Sequence, residues 1–559
     1  MIAPVIVGVL AAFLVTLPPW FQGQLPGVFL PIMVPGVAAL AVMLQRFVLD
    51  HSQGSRTYDG VADLIIHIHS PSNPDTALRW AVRGLNSLLL AVCGGVAGPE
   101  GAAVEFGQAL ALGARPRSAR WFEQSRRTDA ATALAAGVSA AFGAPFAGYL
   151  LPTELGLGGR SIPIALGALA AFVMGRVLRG ALGVNLPDFS GAAAGAGFVD
   201  PRAWLGAVIV GITAGMVCAG LVRFFRYTQD SLLDLFQTRA WTRTLCAGVL
   251  LFLLVLAYRM AHVPAAGLFE QALWARHSTP ESVMLFSAGV LSLSIVLAGF
   301  GTVGVFWPAL VLGGLFGIAL SGAALSWLGA PTAAMGLVGG AAFWGALLGA
   351  PVSGAVLIFE LTHNIYVLPP CLAAAAIAHW VRGRLRTPTL IQSDLEARGL
   401  GLLKGRSVEV LSAISVRDAM VVDHEIVHEH EPISEIYPRL LKSHYPFLPV
   451  VNSSSLYIGL LTVDLIQEAW RSQSDHSNSP LAKLLEAKDL LYRSGVKGPT
   501  IQVRERLSST AGLFDVVPCV PVLSEEGRIL GLLFVHNVRL AYDRAMLKRD
   551  SVTFWSAPR

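Results

Sequence analysis

The chain contains few charged residues for its length. Of its 559 residues, 14% are Asp, Glu, Lys or Arg and 54% are hydrophobic, with a mean hydropathy of +0.60. A soluble domain carries about 25% charged residues. No charged residue precedes Arg46, and neither Lys, Arg nor Asp occurs from Gly84 to Ala114. This composition excludes an ordinary soluble globular protein. It indicates a polytopic membrane protein, in which abundant small residues let helices pack closely.

Two further features are missing. The five cysteines form no C-x-x-C pair, so the sequence suggests neither a zinc cage nor a disulfide framework. The first twenty residues lack a basic segment and a small-residue cleavage site, so they are expected to form a membrane helix rather than a signal peptide. The net charge of +5 is mild, and it fits basic cytoplasmic loops better than nucleic-acid binding.

Composition changes near residue 390, where charged residues become frequent. We expect a membrane region at 1–395, a linker at 396–412 and two soluble α+β modules at 413–470 and 496–549. Several of the expected membrane helices are shorter than the roughly 20 residues that cross a bilayer, which indicates half-helices meeting inside the membrane. The expected helices are 28–49, 78–97, 100–113, 129–141, 161–180, 202–226, 241–261, 282–299, 305–328, 335–347, 351–361 and 366–383.

Each region contains an internal repeat. "GAPFAGYLLPTEL" (Gly143–Leu155) matches "GAPVSGAVLIFEL" (Gly349–Leu361) at seven of thirteen positions, with an offset of 206 residues. Inverted repeats of broken helices are a common plan for ion and solute carriers. In the soluble region, "PFLPVVNSSSLYIGLL" (Pro446–Leu461) matches "PCVPVLSEEGRILGLL" (Pro518–Leu533) at an offset of 72. Each copy predicts a strand, a turn and a second strand.

Two motifs resemble enzyme sites without their context. "HEIVH" (His424–His428) fits the zinc-protease pattern, which works on a helix, but this stretch is expected to be strand and loop. "GFGTVG" (Gly299–Gly304) fits a dinucleotide loop, but the next acidic residue is Glu360, far beyond the position of a ribose-binding acid. The sequence therefore predicts no metal site and no nucleotide-dependent enzyme.

Glu100 lies in the apolar stretch "GVAGPEGAAVEFG" (Gly95–Gly107). Pro99 and the preceding glycines predict a bend, which places Glu100 at the N-terminus of a buried half-helix. Free N–H groups at such a terminus attract anions. Two interpretations remain open: a tethered carboxylate that competes with a permeant anion, and a structural carboxylate that caps its own helix. The glycines favour the first, because they let a ligand approach the backbone.

"GTVGVFWPALVLGGLFG" predicts a second loop and helix of the same kind. Gly301 and Gly304 form the loop, and Pro308 falls in the first helical turn, where its missing N–H is harmless. The N–H groups of Val305 and Phe306 are expected to point into the membrane interior.

With these motifs, the sequence resembles the CLC family of chloride channels and chloride/proton exchangers. Gly304 to Pro308 matches the family's G-x-F-x-P motif, and Gly98 to Ala102 is similar to its G-[KR]-E-G-P motif. The 206-residue repeat is similar to its dimer-forming helices, and the 72-residue repeat to its cytoplasmic CBS domains. The resemblance implies an all-α polytopic membrane protein with an inverted repeat of broken, tilted helices. It also implies an α+β CBS pair after the membrane region and a homodimer in lipid.

The resemblance also implies site residues. Glu100 is the gate, and the residues expected to bind chloride are Ser55, Gly98, Glu100, Gly101, Val305 and Phe306. Three positions depart from the family: Pro99 replaces the basic residue before the gate, Ile391 replaces a chloride-binding tyrosine, and Leu155 replaces the inner proton-transfer glutamate that follows Glu154. A serine at position 55 goes with chloride rather than nitrate in the family, although the surrounding G-S-G-I-P motif is altered here.

In the soluble pair, Thr462 and Asp464 resemble the ribose contacts of CBS domains, one residue closer together than usual. The second copy has His536 and Asn537 instead. Adenine nucleotide binding at the first copy is one alternative, and a structural module that stabilises the dimer is the other.

These features together predict a chloride channel or uncoupled chloride transporter gated by Glu100. The alternative is a chloride/proton antiporter with a different inner proton path, and an alternative of another class is a membrane-embedded nucleotide sensor or enzyme. We expect no enzymatic activity, no cofactor other than the transported chloride, and no nucleic-acid partner. The protein is expected in the plasma (inner) membrane, with Gly113–Asp129, Val381–Pro388 and the C-terminal region cytoplasmic. The start at Met1 is short beside the family, which suggests additional residues upstream.

Overall fold

The computed structural model describes most of the chain, and all structural statements below concern the described part. It comprises residues 2–24, 60–69, 77–92, 98–113, 122–157, 161–184, 201–235, 240–260, 279–300, 304–325, 331–397, 414–442, 447–463, 465–467, 486–494, 498–510, 513–515 and 519–542, and the single residues 36, 40, 411 and 544. The chain divides into two compact units, of which the first ends at Asp394 and the second contains Leu395–Arg559.

The first unit is helical. Its helices are α1 (Ile2–Gln24), α2 (Gly60–His69), α3 (Ala77–Val92), α4 (Pro99–Gly113), α5 (Phe122–Phe142), α6 (Pro145–Glu154), α7 (Ile162–Leu182), α8 (Pro201–Leu235), α9 (Ala240–Met260), α10 (Thr279–Gly299), α11 (Phe306–Ala324), α12 (Thr332–Phe343), α13 (Pro351–Thr362), α14 (Leu368–Arg384) and α15 (Leu390–Ala397). By length and composition, five helices in the described part can cross a membrane. They are Ile162–Leu182, Pro201–Leu232, Thr279–Gly299, Phe306–Ala324 and Ile365–Arg384.

Most expected helices are present within a few residues of their bounds, and two differences are informative. Helix α2 was not expected, because its ten residues are interrupted by Asp63 and two histidines. Helix α8 continues to Leu235, nine residues past its expected end, and an ion pair between Arg226 and Asp230 one turn apart lies in this polar extension. The expected helix at 28–49 lies outside the described residues, apart from residues 36 and 40.

The first repeat is reproduced in the backbone. Gly143 and Gly349, which are 206 residues apart, both adopt left-handed conformations, with φ of 65° and 88°. The next residues, Ala144 and Ala350, have φ of −124° and −127°. Each leads into a short helix that begins with proline, α6 in the first half and α13 in the second. The same offset separates the first residues of α7 and α14, so the duplication extends beyond the matching letters.

Small residues let the helices of the second half approach closely. A Cβ atom on Gly313 would overlap the carbonyl oxygen of Gly339, and one on Gly317 would overlap that of Met335. Helices α11 and α12 therefore pack backbone to backbone. Helix α12 ends in a π-helical turn, Trp344–Leu348, and the carbonyl oxygen of its Gly345 lies 3.0 Å from Nδ1 of His379 on α14.

The second unit contains two small α+β modules. Strand β1 (Val427–His428) pairs in parallel with β2 (Phe447–Val451), which pairs antiparallel with β3 (Tyr457–Thr462). The second sheet repeats this order with β4 (Ile501–Gln502), β5 (Cys519–Leu523) and β6 (Ile529–Phe534). Helix α16 (Ile433–Lys442) follows β1, and α17 (Ala487–Ser494) precedes β4.

The offset of 72 residues found in the sequence holds for the strand register. Phe447 pairs with Thr462, and Cys519 pairs with Phe534. An irregularity follows Val450 in β2 and the equivalent Val522 in β5. The stretch "HEIVH" is not helical, as expected. It runs from irregular chain into β1, so its two histidines do not share a helix face.

Candidate functional site

Two loops, one from each half, meet at the expected anion site. Gly98 and Gly304 form an isolated antiparallel bridge, in which the Gly98 N–H donates to the Gly304 carbonyl oxygen at 3.0 Å. These glycines are also 206 residues apart, so they occupy equivalent places in the two repeats. The bridge holds the first turn of α4, which carries Glu100, beside the first turn of α11.

Glu100 reaches across this bridge to the other half. The Trp307 N–H, in the first turn of α11, donates to Glu100 Oε1 at 2.9 Å. The backbone N–H groups of Glu100 itself and of Phe306 also interact favourably with the carboxylate. The side chain is 0% exposed, and Oε2 has no hydrogen-bond partner among the described residues. The carboxylate thus occupies an anion-binding helix terminus, with one oxygen held and one unsatisfied.

Glycine is required on both sides of this carboxylate. A Cβ atom on Gly98 would overlap the Glu100 carboxylate. A Cβ atom on Gly304 would overlap the Gly98 carbonyl oxygen and lie 2.8 Å from Glu100 Oε1. The glycines therefore make room for a negatively charged group at the junction of the loops, where an L-amino-acid side chain does not fit.

Helix α11 begins as the sequence predicts. Val305 precedes its first residue, Phe306, and Pro308 is the third residue, in the first turn. Trp307, whose N–H binds the carboxylate, was not among the expected anion ligands. Its position as the second residue of a helix is a signal for such a role, because the first N–H groups of a helix have no partner within it.

Aromatic side chains shield the terminus of α11. Phe306 is 1% exposed, and its ring centroid lies 5.5 Å from that of Trp344. The ring of Phe142 lies 5.2 Å from Trp307 and 5.5 Å from Trp344. This apolar cluster excludes water from one side of the site, which strengthens the electrostatic interactions there.

The remaining expected ligands have different positions. The Gly101 N–H is directed to the Gly98 carbonyl oxygen at 3.2 Å, within the first turn of α4. Ser55 lies outside the described residues. Ile391 is 3% exposed near the start of α15, which is capped by reciprocal contacts between Thr389 and Gln392. Ile391 brings no hydroxyl group to this helix start.

Two other membrane glutamates act as structural caps. Glu154, the last residue of α6, accepts the Val352 and Ser353 N–H groups of α13 at 2.8 and 2.7 Å. Glu360 on α13 accepts the Phe146 and Ala147 N–H groups of α6 at 2.9 and 2.8 Å. Each repeat therefore caps the short helix of the other.

Leu155 follows Glu154 at the end of α6 and donates its N–H to the Leu151 carbonyl oxygen at 3.0 Å. Its side chain is partly buried and has no proton-accepting group. Both carboxylate oxygens of the neighbouring Glu154 accept backbone N–H groups of α13.

The family model described as "Voltage gated chloride channel" matches residues 36–383. The chain belongs to this family. It is 23% identical over 535 residues to the "Chloride channel protein CLC-e" of Arabidopsis thaliana, covering 83% of this chain and 72% of that protein. It is 24% identical over 390 residues to the "H(+)/Cl(-) exchange transporter ClcA" of Vibrio parahaemolyticus, covering 65% of this chain and 80% of that protein.

Solved structures show the same fold for this family member. A slow cyanobacterial Cl⁻/H⁺ antiporter matches with a TM-score of 0.57 and 19% identity, covering 71% of this chain and 97% of that chain. A eukaryotic CLC transporter matches with a TM-score of 0.54 and 17% identity, covering 96% of this chain and 97% of that chain. The CLC fold is therefore present, and the protein is a multi-pass membrane protein of CLC-type chloride transport.

In the soluble unit, Thr462 ends β3, and its hydroxyl oxygen accepts the Leu465 N–H at 3.2 Å. Asp464 lies outside the described residues. In the second module His536 stacks on Phe534, and Oδ1 of Asn537 is buried without a hydrogen-bond partner in the described part. The ring of Phe534 also lies 6.2 Å from Phe447 of the first module, so the two modules pack against each other.

Proposed function

We propose that Glu100 is the gate of a chloride pathway and that its carboxylate occupies the place of a permeating anion. The observation that carries this proposal is its contact with the Trp307 N–H at 2.9 Å, made by a fully buried side chain with one unpartnered oxygen. Because a free anion and the tethered carboxylate need the same N–H groups, only one of them is bound at a time. Protonation of Glu100 weakens this contact and opens the pathway.

Leu155 supports a channel or an uncoupled transporter. The relatives named above include a protein called a channel and a protein called an exchanger. In the family's exchangers a glutamate accepts protons at the position of Leu155. A leucine accepts none, so a chloride gradient is not expected to drive protons uphill by this route. A chloride/proton antiporter with another inner path is the second candidate.

The test compares chloride efflux from liposomes for the wild-type protein and Glu100→Gln. Glutamine has the shape of the protonated acid, so Glu100→Gln should raise the flux or remove its pH dependence. The substitution removes a hydrogen bond to a charged group, which is typically worth about 1.5–3 kcal/mol. Full conversion of this energy into gate opening corresponds to an increase of roughly tenfold to a hundredfold. The chloride flux stops increasing once gate opening is no longer its rate-limiting step.

Glu360→Gln is the matched control, because Glu360 is also a buried glutamate that caps a helix of the opposite half. Its flux per folded molecule should equal that of the wild type. Equal, pH-dependent flux in wild type and Glu100→Gln would refute the gate. The pH outside the liposomes is recorded during efflux. Chloride-driven alkalinisation or acidification that Glu100→Gln abolishes would establish an exchanger and refute the interpretation of Leu155.

The proposed function also includes a homodimer and a defined orientation of the protein in the membrane. Exposed apolar side chains on the repeated helices include Phe146, Ile162 and Trp380, with exposed fractions of 66%, 71% and 63%. In the proposed homodimer, a second copy covers part of this apolar surface. Light scattering of the purified protein in detergent measures the mass of the particle and so tests whether it is a dimer. The basic loops place the C-terminal unit in the cytoplasm, and a C-terminal tag accessible from outside intact cells would contradict this.

Ser55 is proposed to select the anion, in which case chloride is preferred over nitrate. Equal permeability to chloride and nitrate would exclude this role of Ser55. The two α+β modules are proposed to be a CBS pair that stabilises the dimer. Calorimetric titration of the full-length protein with ATP tests the nucleotide alternative at Thr462. ATP binding that persists in Thr462→Ala would show that the nucleotide site does not include Thr462.

A further inference from the structure

Arg382, in the last turn of α14, is a buried cation that the proposed gate does not use. It is 5% exposed. Its Nη1 donates to the carbonyl oxygen of Thr387, in the turn between α14 and α15. Its Nη2 lies 3.5 Å from Nδ1 of His379, and its Nε is buried without a hydrogen-bond partner among the described residues. The guanidinium therefore has one firm hydrogen bond, which goes to a backbone oxygen.

The contact between Arg382 and His379 is not a hydrogen bond, because the ring nitrogen already donates elsewhere. Nδ1 of His379 lies 3.0 Å from the carbonyl oxygen of Gly345, which can only accept, so Nδ1 carries a hydrogen atom. A nitrogen in this state does not accept a hydrogen bond from Nη2. Nε and Nη2 form one edge of the planar guanidinium, and such an edge binds anions through two N–H groups. This edge of Arg382 has no acceptor in the described part of the chain.

No described carboxylate balances the charge of Arg382. The described group that acts electrostatically on the guanidinium is the thiol of Cys218 on α8, and a thiol is uncharged while it keeps its proton. Asp394, a buried carboxylate on α15, is not among the groups that act on it. Glu154 acts on His379, but its two oxygens accept backbone N–H groups of α13. An unbalanced charge buried in a membrane protein is costly, so a counter-ion at Arg382 is favoured.

Two neighbouring arginines have the compensation that Arg382 lacks. Nε of Arg226 lies 3.7 Å from Oδ2 of Asp230, and Arg223 is exposed. Both donate at 3.1 Å to backbone carbonyl oxygens near the same turn, those of Leu385 and Ser393. Three guanidinium groups thus surround the turn between α14 and α15, and together they attract anions to it. The most deeply buried of the three is the one with a free edge.

We propose that this edge of Arg382 binds a chloride ion at the cytoplasmic end of α14 and holds it before it passes to the gate. Val381–Pro388 is a basic loop that we place in the cytoplasm, so the ion enters from that side. Thr387, which Arg382 holds, precedes Ile391 by four residues. Ile391 brings no hydroxyl group to the start of α15, and Arg382 supplies N–H donors at this end of the pathway. The passage of the ion to the gate rests on the proposed function, whereas its binding at Arg382 does not.

The Arg382 site differs from the gate in what competes for it. At the gate, a permeant ion competes with the tethered carboxylate of Glu100. At Arg382, no described carboxylate competes, so chloride should be bound there while the gate is closed. Hydrogen bonds from a charged donor are about twice as strong as neutral ones. Arg382→Gln removes the charge and the two-donor edge, so it should weaken chloride binding roughly tenfold or more.

Crystals of the full-length protein, prepared without chloride and soaked in bromide, test the position of the ion. Bromide has the charge of chloride and a similar size, and its anomalous scattering locates it. A peak is expected beside Nε and Nη2 of Arg382 in the wild type. It should disappear in Arg382→Gln and remain in Arg226→Gln, the matched control, because Arg226 already has a carboxylate partner. Absence of bromide from Arg382 in the wild type, or density for an oxyanion in its place, would overturn the proposal.

Uptake of radioactive chloride into inside-out vesicles tests the role of the site in transport, because the external buffer then bathes the cytoplasmic face. The external chloride concentration that gives half-maximal uptake should rise roughly tenfold or more in Arg382→Gln and stay unchanged in Arg226→Gln. Arg382→Lys keeps the charge without the two-donor edge, so its half-maximal concentration should lie between those of the wild type and Arg382→Gln.

Gel filtration of each purified variant establishes folding, and the bromide position in the wild type decides the test even where a variant does not fold. A wild-type half-maximal concentration in folded Arg382→Gln protein would overturn the proposal. Bromide bound at Arg382 in a protein that takes up no chloride would instead refute the proposed function and leave the anion site in place.

Discussion

The hydrogen bonds by which each repeat caps the other predict a specific loss of stability. In Glu360→Gln, the amide retains one acceptor oxygen for the two N–H groups of Phe146 and Ala147. Its NH₂ group faces the other donor. In Glu154→Gln, the same change occurs opposite Val352 and Ser353. Both substitutions also remove the negative charge from the N-terminus of a helix, where charge of this sign is favourable.

The magnitude follows from the bonds removed. A hydrogen bond to a charged group contributes about 1.5–3 kcal/mol, so each variant should lose roughly that amount of unfolding free energy. Glu360 is the more buried of the two, being 8% exposed, and its bond to the Ala147 N–H is fully buried. The Val352 N–H that binds Glu154 is exposed. Glu360→Gln should therefore cost more than Glu154→Gln. The two caps share no partner, so their effects should be nearly additive.

Thermal unfolding of the purified protein in detergent measures this ranking, with the fraction remaining monodisperse after heating as the readout. Glu360→Asp keeps the charge but shortens the side chain, so it should fall between the wild type and Glu360→Gln. Unfolding of both Gln variants at the wild-type temperature would show that these four bonds do not hold the repeats together. A larger loss of stability in Glu154→Gln than in Glu360→Gln would show that burial does not determine which cap contributes more.

Two further predictions concern the ion pathway. Gly304→Ala places a Cβ atom against the Gly98 carbonyl oxygen and the Glu100 carboxylate, so chloride efflux should fall at least tenfold. Gly220→Ala is the control, because no atom lies within 4 Å of the added Cβ, and it should keep wild-type efflux. Leu155→Glu restores a carboxylate beside Glu154, so a chloride gradient should drive protons more strongly than in the wild type, as recorded by pH outside the liposomes. Unchanged proton movement would show that Leu155 is not what limits coupling.

Local patterns in the sequence predicted a large part of the fold. The helix starts at Pro351 and Phe306 are encoded by nearby glycine and proline residues, and they lie within one residue of the expected starts. The helix at Pro145–Glu154 was not among the expected helices, although the repeat relates it to the helix at Pro351–Thr362. The repeated strands are also encoded locally, by short apolar runs on either side of a polar turn. The strand register reproduces their 72-residue offset. These features depend on residues only a few positions apart, which is why one sequence is sufficient to find them.

Contacts between distant segments were not predictable in the same way. Glu360 and Phe146 are separated by 214 residues, and no local pattern indicates their bond. Asp63 pairs with Arg83, but it lies on a ten-residue helix that hydropathy alone did not reveal. Pairing of these charges depends on how α2, α3 and α4 pack, and a single sequence does not specify that packing.

The proposed movement of Glu100 is compatible with a fold whose two repeats stay joined. Residue 306, the equivalent of Glu100 in the second repeat at an offset of 206, is Phe306, so only one half contributes a carboxylate at this junction. The caps made by Glu154 and Glu360, in contrast, are doubled and hold four backbone N–H groups between α6 and α13. Breaking the contacts of the Glu100 carboxylate with the Trp307 and Phe306 N–H groups leaves all four of these bonds intact. In the proposed gate, the side chain therefore leaves the helix terminus and an anion takes its place without separation of the two repeats.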